Sequence, residues 1–141
     1  MKALLDTSVL VASVLESDRR HEASHKLVMQ LASHEASCAA HSLAEFYATL
    51  TGMNPPHRLR PEHAELILNQ FKTNLDCITL TADEVFLAIQ RTAALKLPGG
   101  IIYDALILAC ARKVHAERIY TWNPKHFKMA APDLAERIMT P

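Results

Sequence analysis

Ala3-Leu4-Leu5-Asp6-Thr7-Ser8-Val9-Leu10 places three apolar residues, a carboxylate and two hydroxyls in direct succession. The apolar run is too short for a helix and does not alternate with polar residues. It therefore predicts a brief buried strand from Ala3 to Leu5. Val9 to Glu16 then reads as a short helix. This unit, a strand passing through polar residues into a helix, recurs along the chain. Ser37-Cys38-Ala39-Ala40, Cys77-Ile78-Thr79-Leu80 and Arg118-Ile119-Tyr120-Thr121 read as further strands, and Ile138-Met139 as a short last one. Between them, Asp18 can cap a helix reaching about Glu35, with Ala23, Leu27, Val28 and Leu31 on one face. Ser42 opens a helix that points Leu43, Phe46, Tyr47 and Leu50 inward and stops at Gly52 and Pro55-Pro56. Pro61 suits a first helical turn, and Ala64 to Lys72 follow as a helix. Thr81-Ala82-Asp83-Glu84 has the form of a capping box and starts a helix to about Leu95. After Pro98-Gly99-Gly100, a long apolar helix runs from Ile101 to His115. Such alternation predicts an α/β fold with a mostly parallel sheet covered on both faces. Ligands of such sheets gather outside the carboxyl ends of the strands.

The chain has 141 residues, 50% of them hydrophobic and 21% charged, which predicts one globular domain over residues 1–141. Fifteen Lys+Arg balance fifteen Asp+Glu, which excludes a bulk electrostatic binder of nucleic acid. Gly52, Gly99 and Gly100 are the only glycines, so neither the dinucleotide fingerprint nor the P-loop can be written. Cys38, Cys77 and Cys110 lie among apolar neighbours and read as buried free thiols in a reducing compartment. Asp6, Glu16 and Asp18 interrupt what would otherwise pass for a secretory leader. No apolar stretch approaches the ~18–20 residues that span a bilayer. A cytoplasmic protein without membrane association is expected.

The acids carry the chemistry. Asp104 has Gly100, Ile101, Ile107 and Leu108 as its neighbours one helical turn away, so its carboxylate lies on the apolar side of its helix. Burying it costs several kcal/mol unless an Arg, first-turn N–H groups or a cation compensates. A helix-dipole role in the first turn is the plainer account. Asp6 reads either as a helix N-cap or as a site carboxylate at a strand's end, with Thr7 and Ser8 orienting it or touching a ligand. Glu45 closes the capping box Ser42-Leu43-Ala44-Glu45, yet a glutamate there can also turn toward a shared site. Asn123 before Pro124 has the form of a helix start and also follows a strand. Singly each residue has an ordinary structural account. Together, three acids and an amide fall at element ends that should converge on one sheet edge. Clustered carboxylates repel unless a cation joins them, and hard oxygen donors favour Mg²⁺ or Mn²⁺. Such ions bind phosphate oxygens and acidify bound water, which suggests metal-assisted phosphodiester hydrolysis.

In four stretches the chain resembles the PIN domain, specifically VapC-type toxins. These are Leu4-Leu5-Asp6-Thr7-Ser8-Val9-Leu10, Ser42-Leu43-Ala44-Glu45-Phe46-Tyr47, Tyr103-Asp104-Ala105-Leu106-Ile107-Leu108-Ala109-Cys110-Ala111 and Thr121-Trp122-Asn123-Pro124-Lys125-His126-Phe127. Their order and spacing fit over essentially the whole chain. The resemblance implies a three-layer α/β/α sandwich and a metal-dependent ribonuclease that leaves 5′-phosphate and 3′-hydroxyl ends. It matches Asp6, Glu45 and Asp104 to the family's metal-binding acids. The fourth family position is often Asp and here is Asn123, a neutral amide that weakens the case for a second tightly held metal. Asp6, Glu45, Asp104 and Asn123 are thus the expected catalytic residues, with Mg²⁺ or Mn²⁺ as cofactor. Thr7, Ser8, Thr121, Lys125 and His126 are expected to support them or to touch RNA. The family also implies a toxin–antitoxin pair, a cognate antitoxin and a homodimer, with the helices between Asp18 and Glu35 and from Pro61 to Lys72 as the partner face.

Other signals stay weaker. Arg58, Arg60, Arg112, Lys113 and Lys128 read as solvated surface charges. Trp122 suits core packing better than base stacking. His21 and His25 stand i, i+4 apart, but no further ligand completes a zinc site. A catalytically impaired PIN-fold module for binding RNA or protein is the rival reading, fed by Asn123. A small phosphoesterase is a third, disfavoured by the lack of a glycine-rich phosphate loop.

Overall fold

A computed structural model describes residues 2–31 and 33–141. Strand β1 (Ala3–Leu5) is wholly buried and leads through Asp6 into helix α1 (Thr7–Val14). Then come α2 (His21–Gln30), β2 (Ala36–Ala39), α3 (Ala40–Thr51), α4 (Pro61–Asn74) and β3 (Asp76–Ile78). The chain continues with α5 (Ala82–Ala94), α6 (Ile101–Lys113), β4 (Arg118–Tyr120) and α7 (Pro124–Ala130). A 3₁₀ turn (Pro132–Arg137), which the sequence pattern did not suggest, precedes β5 (Ile138–Met139).

The five strands lie in the order β3-β2-β1-β4-β5, and every pair is parallel. The expected mostly parallel sheet is therefore parallel throughout. Because side chains alternate along a strand, β1 feeds two cores. Ala3 and Leu5 join Cys38, Phe46, Leu50 and Phe71 on the face covered by α1, α3 and α4. Leu4 joins Ile107, Leu108, Ile119 and Phe127 on the face covered by α6 and α7. These layers form the expected α/β/α sandwich. From β1 the chain builds outward to β2 and β3, then returns to lay β4 on the other side of β1. That reversal opens a crevice between the carboxyl ends of β1 and β4. Among the described residues, no helix is long and apolar enough to cross a membrane.

Several element boundaries differ from expectation for local reasons. Helix α1 starts at Thr7, because the Asp6 carbonyl already accepts from the Val9 and Leu10 N–H groups at 3.0 and 3.2 Å. Asp6 holds the N-cap position of α1 as one of its two readings had it, but without a side-chain cap hydrogen bond. Helix α2 ends at Gln30 rather than near Glu35, since Ala36 must already be extended to pair with Ala3. Asp18 is not its cap but accepts the Arg20 N–H at 2.7 Å in the turn before it. Its inward face carries Ser24, while Ala23 is exposed. Helix α3 starts directly from β2, so Ser42 sits within the first turn and its capping box with Glu45 does not form. Tyr47, expected inside, is exposed. The Thr81–Glu84 capping box does form: each residue's N–H reaches the other's side chain, at 3.1 and 3.2 Å. Asn123 holds the N-cap position of α7 without a side-chain cap bond. Cys38 and Cys110 are buried free thiols as expected, and Cys77 is partly buried.

Candidate active site

The three acids come from three different elements and meet at the carboxyl end of the sheet. Asp6 leaves β1 and is 4% exposed. Its Oδ2 accepts two hydroxyl hydrogen bonds, from Ser8 at 2.7 Å and from Thr121 at 2.8 Å. Each hydroxyl is in turn held by the loop after β4. Trp122 N–H donates to Ser8 Oγ at 3.0 Å, and Asn123 N–H donates to Thr121 Oγ1 at 3.0 Å. One carboxylate oxygen is thus held by two hydroxyls, each fixed in turn by the loop after β4. Burial pushes the Asp6 carboxyl up, and these hydrogen bonds pull it back only in part.

Glu45 projects from α3. Thr7 Oγ1 lies 2.9 Å from Glu45 Oε2 and 2.8 Å from the buried Ser42 hydroxyl. With a single proton, the Thr7 hydroxyl donates to the carboxylate, which leaves Ser42 as donor to Thr7. One turn before Glu45, His41 Nε2 stands 3.5 Å from Glu45 Oε1, too poorly aimed for a hydrogen bond and without another partner. Asp104 lies in the first turn of α6, half-buried. Among the described residues no side chain donates a hydrogen bond to it. Its carboxyl is pushed up to about 6, first by burial and then by the negative charge of Asp6, with Glu45 adding to the push and His126 opposing it. That coupling places Asp6, Glu45, Asp104 and His126 within one electrostatic neighbourhood.

Asn123, Lys125 and His126 are exposed on the loop and first turn of α7; of these, His126 acts electrostatically on Asp104 and the Asn123 N–H holds Thr121. Thr7, Ser8 and Thr121 do not face outward as free ligands, since each hydroxyl is engaged by a carboxylate. Two of the other basic residues are neutralised by acids outside the cluster: Arg112 makes a two-pronged bond to Asp133, and Lys113 reaches Glu84 at 2.8 Å. His21 is not free either, with Nδ1 2.8 Å from the Ala12 carbonyl and its ring stacked on His25. Sequence reasoning missed Ser42 as a support for Thr7, and it missed His41, although the His41–Glu45 spacing of one helical turn was in view.

Among the described residues, no three His, Cys, Asp or Glu side chains stand close enough to form a ready-made metal cage. The donor set nevertheless suits a hard divalent cation. All its ligating atoms are carboxylate oxygens, and burial with the negative charges of Asp6 and Glu45 makes Asp104 resist ionisation, which a cation among them would relieve. Mg²⁺ in particular keeps several waters and needs only one or two protein carboxylates. The residues therefore fit such an ion without a closed cage.

A parallel sheet with clustered acids at its switch point defines a class of α/β proteins with carboxylate-built sites. The PIN domain model matches residues 3–132, and the chain belongs to the PIN-domain family. It is similar to ribonuclease VapC27 of Mycobacterium tuberculosis, with 32% identity over 80% of this chain and 79% of that protein. Ribonuclease VapC40 of the same organism is 30% identical over 79% of this chain and 80% of that protein. In fold, the chain resembles the crystal structure of M. tuberculosis VapC20, a sarcin-ricin loop cleaving toxin. The TM-score is 0.72 at 18% identity, over 89% of this chain and 92% of that one. It also resembles VapBC2 from Rickettsia felis, bound to a DNA fragment from their promoter. There the TM-score is 0.69 at 19% identity, over 100% of this chain and 99% of that one.

Proposed function

We propose that this chain is an endoribonuclease that hydrolyses RNA phosphodiester bonds with the help of Mg²⁺ or Mn²⁺, and that it is the toxin of a toxin–antitoxin pair. The observation that carries the reading is the Asp104 carboxyl, lifted to about 6 by burial and by Asp6 and Glu45, at the switch point of the sheet. A family whose relatives are ribonucleases gives that cluster its substrate class.

In this reading Asp6, Glu45 and Asp104 would hold the ion. When bound, the ion supplies charge neutralisation at the scissile phosphate and a more acidic water. The chain's own residues do the positioning. Ser8 and Thr121 hold Asp6 through its Oδ2. Thr7 holds Glu45 through its Oε2. Lys125 and His126, exposed in the first turn of α7, meet the phosphates on either side of the scissile bond. Asn123 adds a neutral amide for orienting water or substrate. The whole chain, residues 1–141, acts as one domain. Its substrate is cytoplasmic RNA, its partners an antitoxin and a second copy.

The test is cleavage of structured RNA with Mn²⁺ or Mg²⁺ and with EDTA, in the wild type and in Asp104→Ala. Cleavage should require the ion and fall by at least about a hundredfold in the variant. An Asp104→Ala protein as fast as wild type overturns the assignment. Asn123 and the lack of a ready-made cage favour a second reading, an impaired PIN-fold binding module. In that case RNA would bind equally well with EDTA and remain intact.

A further inference from the structure

The sole tryptophan does more than fill space. Trp122 is half-buried and sits in the loop after β4. Its indole Nε1–H donates at 2.8 Å to the hydroxyl of Ser24, a residue of α2 that is 0% exposed. The Arg20 guanidinium, at the start of α2, lies 5.5 Å from the centre of the Trp122 ring. The Trp122 backbone N–H donates to Ser8 Oγ, which donates to Asp6 Oδ2. The next backbone N–H, that of Asn123, holds Thr121 in its own bond to Asp6 Oδ2. Both hydroxyls on Asp6 are thus governed by consecutive N–H groups of one loop, and that loop is pinned to α2 by its one large side chain.

We propose that Trp122, anchored by Ser24 and Arg20, is a positioning residue for Asp6, so that α2 and the Asp6 clamp move as one unit. A serine hydroxyl has one proton, and the orientation that points it at Asp6 is selected when its lone pair receives the Trp122 N–H. The loop is tied to β5 through the Thr121 N–H, which donates to the Met139 carbonyl at 3.0 Å, and the indole supplies the tie on the α2 side. Ser24 is the counterpart. A fully buried serine in mid-helix is unfavourable without a partner, and the indole is that partner. What touches α2 therefore acts on the clamp, about which the metal reading of the site says nothing; only the functional consequence rests on that reading.

Ser24→Ala removes the anchor and keeps the fluorophore, and Trp122→Phe keeps the ring and removes the donor. Amide hydrogen exchange in metal-free protein reads the clamp directly. Both variants should exchange the amides of residues 122 and 123 about tenfold faster than wild type, with the strands of the sheet unchanged. Unchanged exchange at these two amides overturns the inference, even if the variants melt at lower temperature. A Mn²⁺ titration, followed by the single indole's fluorescence in wild type and Ser24→Ala and by calorimetry in Trp122→Phe, then asks about function. The midpoint should rise about tenfold in both variants, the low end of what losing an outer hydrogen-bond partner does to a metal site. Faster exchange with an unmoved midpoint overturns the functional half. Wild type that takes up no Mn²⁺ instead defeats the metal reading, and the exchange result stands alone.

Discussion

Asp104 is a carboxylate that the folded chain keeps against its own interest. Its carboxyl is raised to about 6 by burial, then by Asp6 and Glu45. Unfolded, it would ionise near 4. Between those values the folded state holds the extra proton, so this group lowers stability as pH rises from about 4 through 6. Asp104→Asn removes the effect. In EDTA, the variant's melting temperature relative to wild type should climb over that interval and stay above it at pH 8, while RNA cleavage is lost. Thermal denaturation across pH in both proteins checks this, and a variant less stable than wild type at pH 8 refutes it. A gain in stability with a loss of function is the mark of a strained site. This much was legible in the sequence: an acid on the apolar side of its helix, with no basic residue one turn away, announces an uncompensated charge. The sequence offered Thr7, Ser8 and Thr121 both as supports for the acids and as contacts to RNA, and which of the two roles each hydroxyl takes was not legible. The direction of a hydroxyl depends on neighbours that the chain brings from 35 or 115 positions away.

At the scale of elements, local chemistry predicted well where the determinant was itself local. Thr81 and Glu84 are both solvent-accessible and only three positions apart, and their capping box forms over α5. Lys113 adds a bond to Glu84, which holds that carboxyl below its ordinary range, the hydrogen bond from Lys113 being the largest cause. Thr81→Ala should cost about 1 kcal/mol of stability in urea denaturation with an unchanged slope. A cost indistinguishable from zero would show the cap to be idle. Ser42-Leu43-Ala44-Glu45 has the same form and fails to cap, because β2 delivers the chain straight into α3 and a helix that begins at Ala40 has no use for a cap at Ser42. Likewise α2 stops early because pairing of β2 with β1 outweighs helix propensity in residues 33–35. Sequence pattern cannot rank two such claims on one segment, since one of them is tertiary.

At the scale of the molecule, the alternation of strands and helices was enough to predict the parallel sheet, but not which strand lies beside which. The order β3-β2-β1-β4-β5 puts the first strand at the centre and sets Asp6 beside Thr121. The balance of fifteen bases and fifteen acids leaves no general field to attract RNA. Binding should then depend on Lys125, His126 and the ion. The logarithm of affinity for single-stranded RNA should fall with the logarithm of salt at a slope of about −1, as for one or two phosphate contacts. A slope steeper than about −4 in filter binding would reveal a basic surface that the sequence and fold do not provide. The hydrogen bond from Thr121 to Asp6 also spans 115 positions of chain. On a ribosome adding about 5–20 residues per second, Asp6 emerges roughly 6–23 s before the hydroxyl that completes its clamp. A nascent chain that ends before Thr121 carries Asp6 without this bond, so the clamp on the first acid is completed only when synthesis is nearly finished.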